Sequence, residues 1–142
     1  MASEKMKKIL LILTVLFFYT VQVVKAEDDL NPLFVDITMK ECYTCQKLKP
    51  VIEELENEYA GRITFITLDV SSRALLEESR QKAEDLGIKE FFEKNRNALP
   101  AIGIICPGGS KVKEAFQGES EIEAYRKALD VLLLDTSKLC SL

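Results

Sequence analysis

Cys42-Tyr43-Thr44-Cys45 places two thiols three positions apart. At the start of a helix such a pair can close into a disulfide at little backbone cost, with the first sulfur toward solvent. Backbone N–H groups and the helix dipole favour a thiolate at that N-terminus and lower the pKa of Cys42. A thiolate there can attack a substrate disulfide, form a mixed disulfide, and be displaced by the second thiol. The spacing alone equally fits half of a zinc site, or a chance pair in a secreted protein. Histidine is absent, which removes His-based triads, His general bases and His-ligated metals. No nearby third cysteine completes a zinc site. No metal is expected, and no cofactor beyond the Cys42–Cys45 disulfide itself; metal analysis of the reduced protein separates the remaining metal-handling reading.

Such a pair needs a frame. Leu33 to Thr38 is a short run of β-favouring residues that reads as a buried strand, interrupted by Asp36. From Cys42 to Ala60, Leu48, Val51, Ile52, Leu55 and Tyr59 recur at three- and four-residue spacing, the pattern of a helix with one buried face. Pro50 should kink it and Gly61 end it. Arg62 to Val70 reads as a second strand. Ser71 or Ser72 can cap a helix reaching about Leu86, with Gly87 as its stop. Ile88 to Lys94 suggests a further helical turn around Phe91 and Phe92. Ala98 to Cys106 is an apolar strand reached through Leu99-Pro100. Pro107 to Ser110 is a turn, and Lys111 to Gln117 returns as a hairpin strand. Glu121 to about Leu134 closes the chain as a helix with Ile122, Tyr125, Leu129, Leu132 and Leu133 on its apolar face. The β-α-β-α-β-β-α order predicts an α/β fold. A parallel pair joined by a right-handed crossover, plus an antiparallel hairpin, makes a mixed central sheet flanked by helices.

The 142 residues, 47% hydrophobic and 30% charged, suit one small domain and exclude two full ones. A net charge of −4 argues against nucleic acid as a partner, since phosphates require a basic face. The charge is uneven: Lys5, Lys7, Lys8 and Lys25 face only Glu4 in residues 1–26, leaving 15 basic and 22 acidic residues beyond. The lysines precede an apolar run from Ile9 to Val24, and Val24-Lys25-Ala26 offers a small-residue exit. That describes a secretory signal peptide over 1–26. The run is short for a span of about 20 residues, yet an uncleaved membrane anchor stays open. Residues 27–32 are expected as a spacer, 33–134 as the domain and 135–142 as a C-terminal tail. The domain is expected to work outside the cytoplasm, periplasmic or otherwise exported, where disulfides persist. A membrane is a partner only if the leader is retained.

Three spaced features together carry a resemblance. Asp36 lies six before the first cysteine in a buried strand, Pro50 lies five after the second, and Leu99-Pro100-Ala101 precedes the apolar strand. With Gly118 after the last strand, residues 33–134 resemble the thioredoxin family. The resemblance implies a thioredoxin-like fold, with Cys42 as the attacking thiol and Cys45 as the buried resolving thiol. It implies that Asp36 is the buried carboxylate beneath the pair. Burial raises a carboxylate's pKa, so Asp36 could take the proton of Cys45; the plainer reading is a strand residue bonded to backbone. It implies a cis peptide at Pro100, with Leu99 and Pro100 holding substrate backbone and Tyr43 and Thr44 also meeting substrate.

The sequence departs from the family at several points. Glu41 stands where the family usually has tryptophan, and its carboxylate opposes thiolate formation, offset by Lys40 and Lys47. Tyr43-Thr44 is neither the Gly-Pro of typical thioredoxins nor the Pro-His of strongly oxidising Dsb proteins. Without a histidine to stabilise the reduced form, a reductant or mild exchanger is expected rather than a strong oxidant. Thirty residues separate Asp69 from Pro100, and Lys89–Ala98 reads as an insertion. Phe91 and Phe92 there either pack into the core or form a docking surface, with the core reading favoured. In this fold Cys106 and Cys140 fall at the end away from the active site. They could meet as a structural disulfide, stay free, or serve a second redox or metal role.

The expected function is therefore an extracytoplasmic thiol–disulfide oxidoreductase, acting as a monomer on protein thiols and disulfides together with a redox partner. The alternative is a non-catalytic binding module of the same fold, with a structural Cys42–Cys45 bond.

Overall fold

β-Branched and aromatic residues on alternating faces build the centre of the molecule. The computed structural model describes residues 31–118 and 121–141. The leader and the first part of the spacer lie outside the described residues. The elements are β1 (Leu33–Thr38), α1 (Tyr43–Glu58), β2 (Thr64–Asp69), α2 (Arg73–Asp85), α3 (Lys89–Asn95), β3 (Ala101–Ile105), β4 (Val112–Gln117), α4 (Ile122–Leu134) and α5 (Thr136–Leu139). The sheet order is β2-β1-β3-β4. β1 and β2 are parallel, and the β1–β3 and β3–β4 pairs are antiparallel. This is the α/β thioredoxin-like architecture, a mixed four-stranded sheet with helices on both faces.

Alternation along β1 divides the core in two. Phe34 joins Leu48, Ile52 and Leu55 of α1 and Tyr125 and Leu129 of α4 on one side of the sheet. Leu33, Val35 and Ile37 join Ala83 of α2 and Phe91 and Phe92 of α3 on the other. Adjacent strand residues point to opposite faces, so Asp36 shares the Phe34 side and looks toward α1. Phe91 and Phe92 are both buried, which removes the docking-surface reading of the insertion. The physical reason is local: Gly103 in β3 has no side chain, and an added Cβ would meet the Phe91 ring at 2.6 Å. The sheet has left a seat for that ring.

The ends of the elements carry contacts of their own. Pro32, just before β1, accepts the Thr64 N–H on its carbonyl at 2.9 Å. The tail holds α5, because Asp135 caps a turn by accepting the Lys138 N–H at 3.0 Å. Of the two serines that could cap α2, Ser72 does so, its side chain accepting the Leu75 N–H at 3.2 Å. Gly87 follows it with φ +72°, a left-handed conformation that favours glycine.

Cys106 and Cys140 are joined, with Cα atoms 5.6 Å apart, well inside the reach of a disulfide. The bond ties α5 to the end of β3. Replacing both cysteines by serine should lower the stability of the oxidised protein by about 3–4 kcal/mol, the chain-entropy value for a closed loop of this length. A urea titration reads the loss. An unchanged midpoint would show that the bridge holds nothing the core does not already hold.

Candidate functional site

The site begins where β1 ends. After Thr38 the chain turns through Met39, Lys40 and Glu41, and the Cys42 N–H donates to Met39 O at 3.1 Å. Two further bonds hold this loop. Gln46 Nε2 donates to Lys40 O at 2.6 Å, and Lys40 N–H donates to Ser71 Oγ at 2.8 Å. Cys42 is the N-cap of α1, with φ −83° and ψ 109°. Its sulfur takes the place that a Ser or Asp oxygen fills in other helices, accepting the Cys45 N–H at 3.1 Å. Sulfur at that point faces the positive end of the helix, which favours its ionised form when the bond is open.

Cys42 and Cys45 are disulfide-bonded, with Cα atoms 5.2 Å apart. Cys42 is half-buried, while Cys45 is only 5% exposed. One sulfur is thus open to a partner and the other is not. Between them Tyr43 is 69% exposed, with the Lys47 ammonium 4.6 Å from its ring centroid. Thr44 is half-buried. Glu41, Lys40 and Lys47 are all exposed, so their charges act on Cys42 through water.

The Leu99–Pro100 peptide is cis. Ala101 pairs with Ile37, so Leu99 and Pro100 lie at the same end of the sheet as the loop that leads to Cys42. Pro100 is buried and Leu99 half-buried, and Pro100 O accepts the Gly118 N–H at 3.1 Å. Cys106 follows Ile105, which pairs with Leu33 at the opposite end of β1. The second disulfide is therefore remote from the first.

Asp36 is 8% exposed, and its Oδ1 has no hydrogen-bond partner among the described residues. It is not the backbone-bonded strand residue of the plainer reading. Burial pushes its carboxyl up to about 7, with Asp69 and Glu56 adding to the rise. Asp36 and Cys45 both line a cleft of about 490 Å³ between α1 and the edge of the sheet. The cleft connects the buried carboxyl to the surface and to Cys45. Among the described residues no group of three His, Cys, Asp or Glu side chains is arranged to hold a metal ion.

Two acidic residues of this cleft, Asp69 and Glu56, were not singled out from sequence. The signal for Glu56 was available: Cys45, Lys49, Ile52 and Glu56 recur at the spacing of one helix stripe. Asp69 becomes a neighbour only through the register of β1 on β2, in which Asp36 faces Thr67 and Thr38 faces Asp69.

The family model described as Thioredoxin matches residues 18–130. Over 58 residues the chain is 34% identical to "Thioredoxin H-type" of Chlamydomonas reinhardtii, covering 41% of this chain and 51% of that protein. Over 42 residues it is 43% identical to "Thioredoxin C-2" of Corynebacterium nephridii, covering 30% of this chain and 39% of that one. The matched segments span about half the length of these curated relatives or less. Among solved structures, thioredoxin O2 from Arabidopsis thaliana in its oxidized state superposes with a TM-score of 0.52 at 24% identity, over 77% of this chain and 81% of that one. MTB dsbF, in mixed oxidized and reduced forms, superposes with a TM-score of 0.53 at 18% identity, over 72% and 81%. At these identities the two structures bear on the fold alone.

Proposed function

We propose, from the premise that this chain belongs to the thioredoxin family, that it is a thiol–disulfide oxidoreductase whose reacting groups are Cys42 and Cys45. One observation carries the reading. Cys42 is half-buried at the cap of α1 with its sulfur on the Cys45 N–H, while Cys45 is sealed behind it and bonded to it. That asymmetry is what exchange requires, an accessible nucleophile and a protected one that resolves.

The chemistry follows in two displacements. In the reduced protein the Cys42 thiolate attacks one sulfur of a substrate disulfide. A Cys42–substrate disulfide forms, and the other substrate sulfur leaves as a thiolate that takes a proton from water. Asp36, in its carboxylate form, accepts the proton of Cys45. The Cys45 thiolate attacks Cys42 Sγ, the Cys42–Cys45 bond closes, and the second substrate thiolate departs. The substrate disulfide gains two electrons and the protein loses two. Run backwards, the same steps oxidise a dithiol, with the Asp36 acid returning its proton to Cys45. Tyr43, exposed beside Cys42, offers an apolar face to a protein substrate. Leu99 and Pro100, at the same end of the sheet, are the backbone-holding residues in this reading.

Direction and place are part of the same proposal. The pair has no histidine between its cysteines, and Glu41 opposes the Cys42 thiolate. Both reduce the stabilisation of the reduced form, which makes the protein a reductant or mild exchanger. The basic start and apolar run of residues 1–26 support export, as a cleaved signal or a retained anchor. Its partners are protein thiols and disulfides and a second redox protein that recharges the pair.

The test is the reduction potential of the Cys42–Cys45 couple, measured against glutathione or dithiothreitol. A value in the thioredoxin range, about −270 mV, is expected. A value below about −300 mV would mark the bond as structural and leave a binding module of the same fold.

A further inference from the structure

We propose that Asp69 and Glu56 are positioning residues that act through Asp36, their negative charges holding a proton on its carboxyl within the cleft it shares with Cys45. The inference rests on the oxidoreductase reading for its use, and on the cleft itself for its physics.

Asp36 and Asp69 lie on the same face of the parallel β1–β2 pair. Asp36 stands opposite Thr67, Thr38 opposite Asp69, and side chains two positions apart on a strand share a face. Helix α1 covers that face, and Glu56 lines the same cleft on the same helix stripe as Cys45. Asp69 is not free to turn away. Its Oδ1 accepts the Ser71 N–H at 2.7 Å and also the Ser71 hydroxyl. Ser71 Oγ in turn accepts the Lys40 N–H. A chain of donors therefore runs from the loop before Cys42 to Asp69 and fixes where its carboxyl points.

The other groups facing Asp36 do not cancel this charge. Lys40 and Lys49 line the cleft but are exposed, and Glu53 adds a further exposed carboxylate. From β3 the residue opposite Asp36 is Ile102, which carries no charge. The Asp36 carboxyl makes no ion pair and its Oδ1 has no donor among the described residues. After burial, Asp69 and then Glu56 are what raises its pKa. Lys40, Lys49, Glu53 and Glu56 all stand at the exposed rim of the cleft and none pairs with Asp36, whereas Asp69 shares its face of the sheet. Asp36 is thereby kept as a proton donor to the Cys45 thiolate whenever an incoming thiolate opens the disulfide at Cys42.

The experiment titrates the Asp36 carboxyl carbon by NMR in the oxidised full chain, in D69N, E56Q, the double variant and D69E. This readout does not depend on turnover. D69N should lower the Asp36 midpoint by about one pH unit, the size expected for one charge across a partly solvated gap. E56Q should lower it by less, the double variant by more than either, and D69E should keep it. The pH profile of disulfide exchange should move the same way. Should D69N disturb the Ser71 turn, E56Q on the exposed side of α1 carries the same comparison. An Asp36 midpoint that stays in place in both E56Q and D69N overturns the inference. Shifted midpoints in a protein that exchanges no disulfides would uphold the electrostatics and sink the oxidoreductase reading instead.

Discussion

Cys42→Ser is expected to abolish turnover of a protein disulfide, down to the uncatalysed background. A serine hydroxyl can keep the cap of α1, because its oxygen accepts a helix N–H as well as sulfur does. It cannot form a disulfide, so the first displacement has no nucleophile. The fold should survive, and the Cys106–Cys140 bridge at the far end of the sheet should be untouched. Cys45→Ser tests the other half. Its Cys42 thiolate still attacks, but nothing resolves the product, so the variant should accumulate covalent adducts with its substrates. Non-reducing gels or mass spectrometry read these adducts, and their identity names the partners. Undiminished turnover in Cys42→Ser would remove the mechanism altogether.

Asp36→Asn should make the protein more stable and less active, with the stability gain confined to neutral and alkaline pH. The sign follows from linkage. The folded state raises the Asp36 carboxyl from an ordinary value of 3.8 to about 7. The folded protein therefore binds this proton more tightly than the unfolded chain does. The favourable contribution of the neutral carboxyl is fully present below about pH 4 and is lost as pH rises through about 7. Above that pH a charged carboxylate sits in a site with no donor for its Oδ1, at a cost of at most about 4 kcal/mol for a shift of about three pH units. Asparagine carries no charge but buries an amide of its own, which returns about 1–3 kcal/mol of the gain. The net expectation is about 1–3 kcal/mol of added stability at pH 8.5, and a net loss at pH 4, where the charge penalty is gone and the amide's cost of about 1–3 kcal/mol remains. Urea midpoints of the oxidised proteins at the two pH values decide it. An equal gain at both would mean that the charge is not the cause. Turnover should fall by about 100-fold, because general acid–base help at Cys45 is lost.

Much of the frame was readable along the chain. The β-branched run of β1 and the three- and four-residue spacing of α1 arise from local preferences and one-sided burial, and these two elements alone deliver Cys42 to a helix cap. Phe91 and Phe92 were harder. Their periodicity suits a short helix on the core or a surface turn equally well, and Gly103 decides between them only once β3 lies beneath that helix. Pro32 read as spacer because proline commonly punctuates strands, yet its carbonyl still accepts a ladder bond from β2. α5 was missed since four residues carry too little periodicity to register.

The order of elements, the spacing of Cys42 and Cys45 and the presence of an acidic residue inside an apolar strand are all properties of the linear chain. They arise from preferences that act over a few residues, and so they survive without knowledge of the fold. The meeting of Cys106 with Cys140, separated by 34 positions, belongs to the tertiary structure. So does the gathering of Asp36, Asp69 and Glu56 around one cleft, because strand register and helix packing alone decide which distant charges meet there.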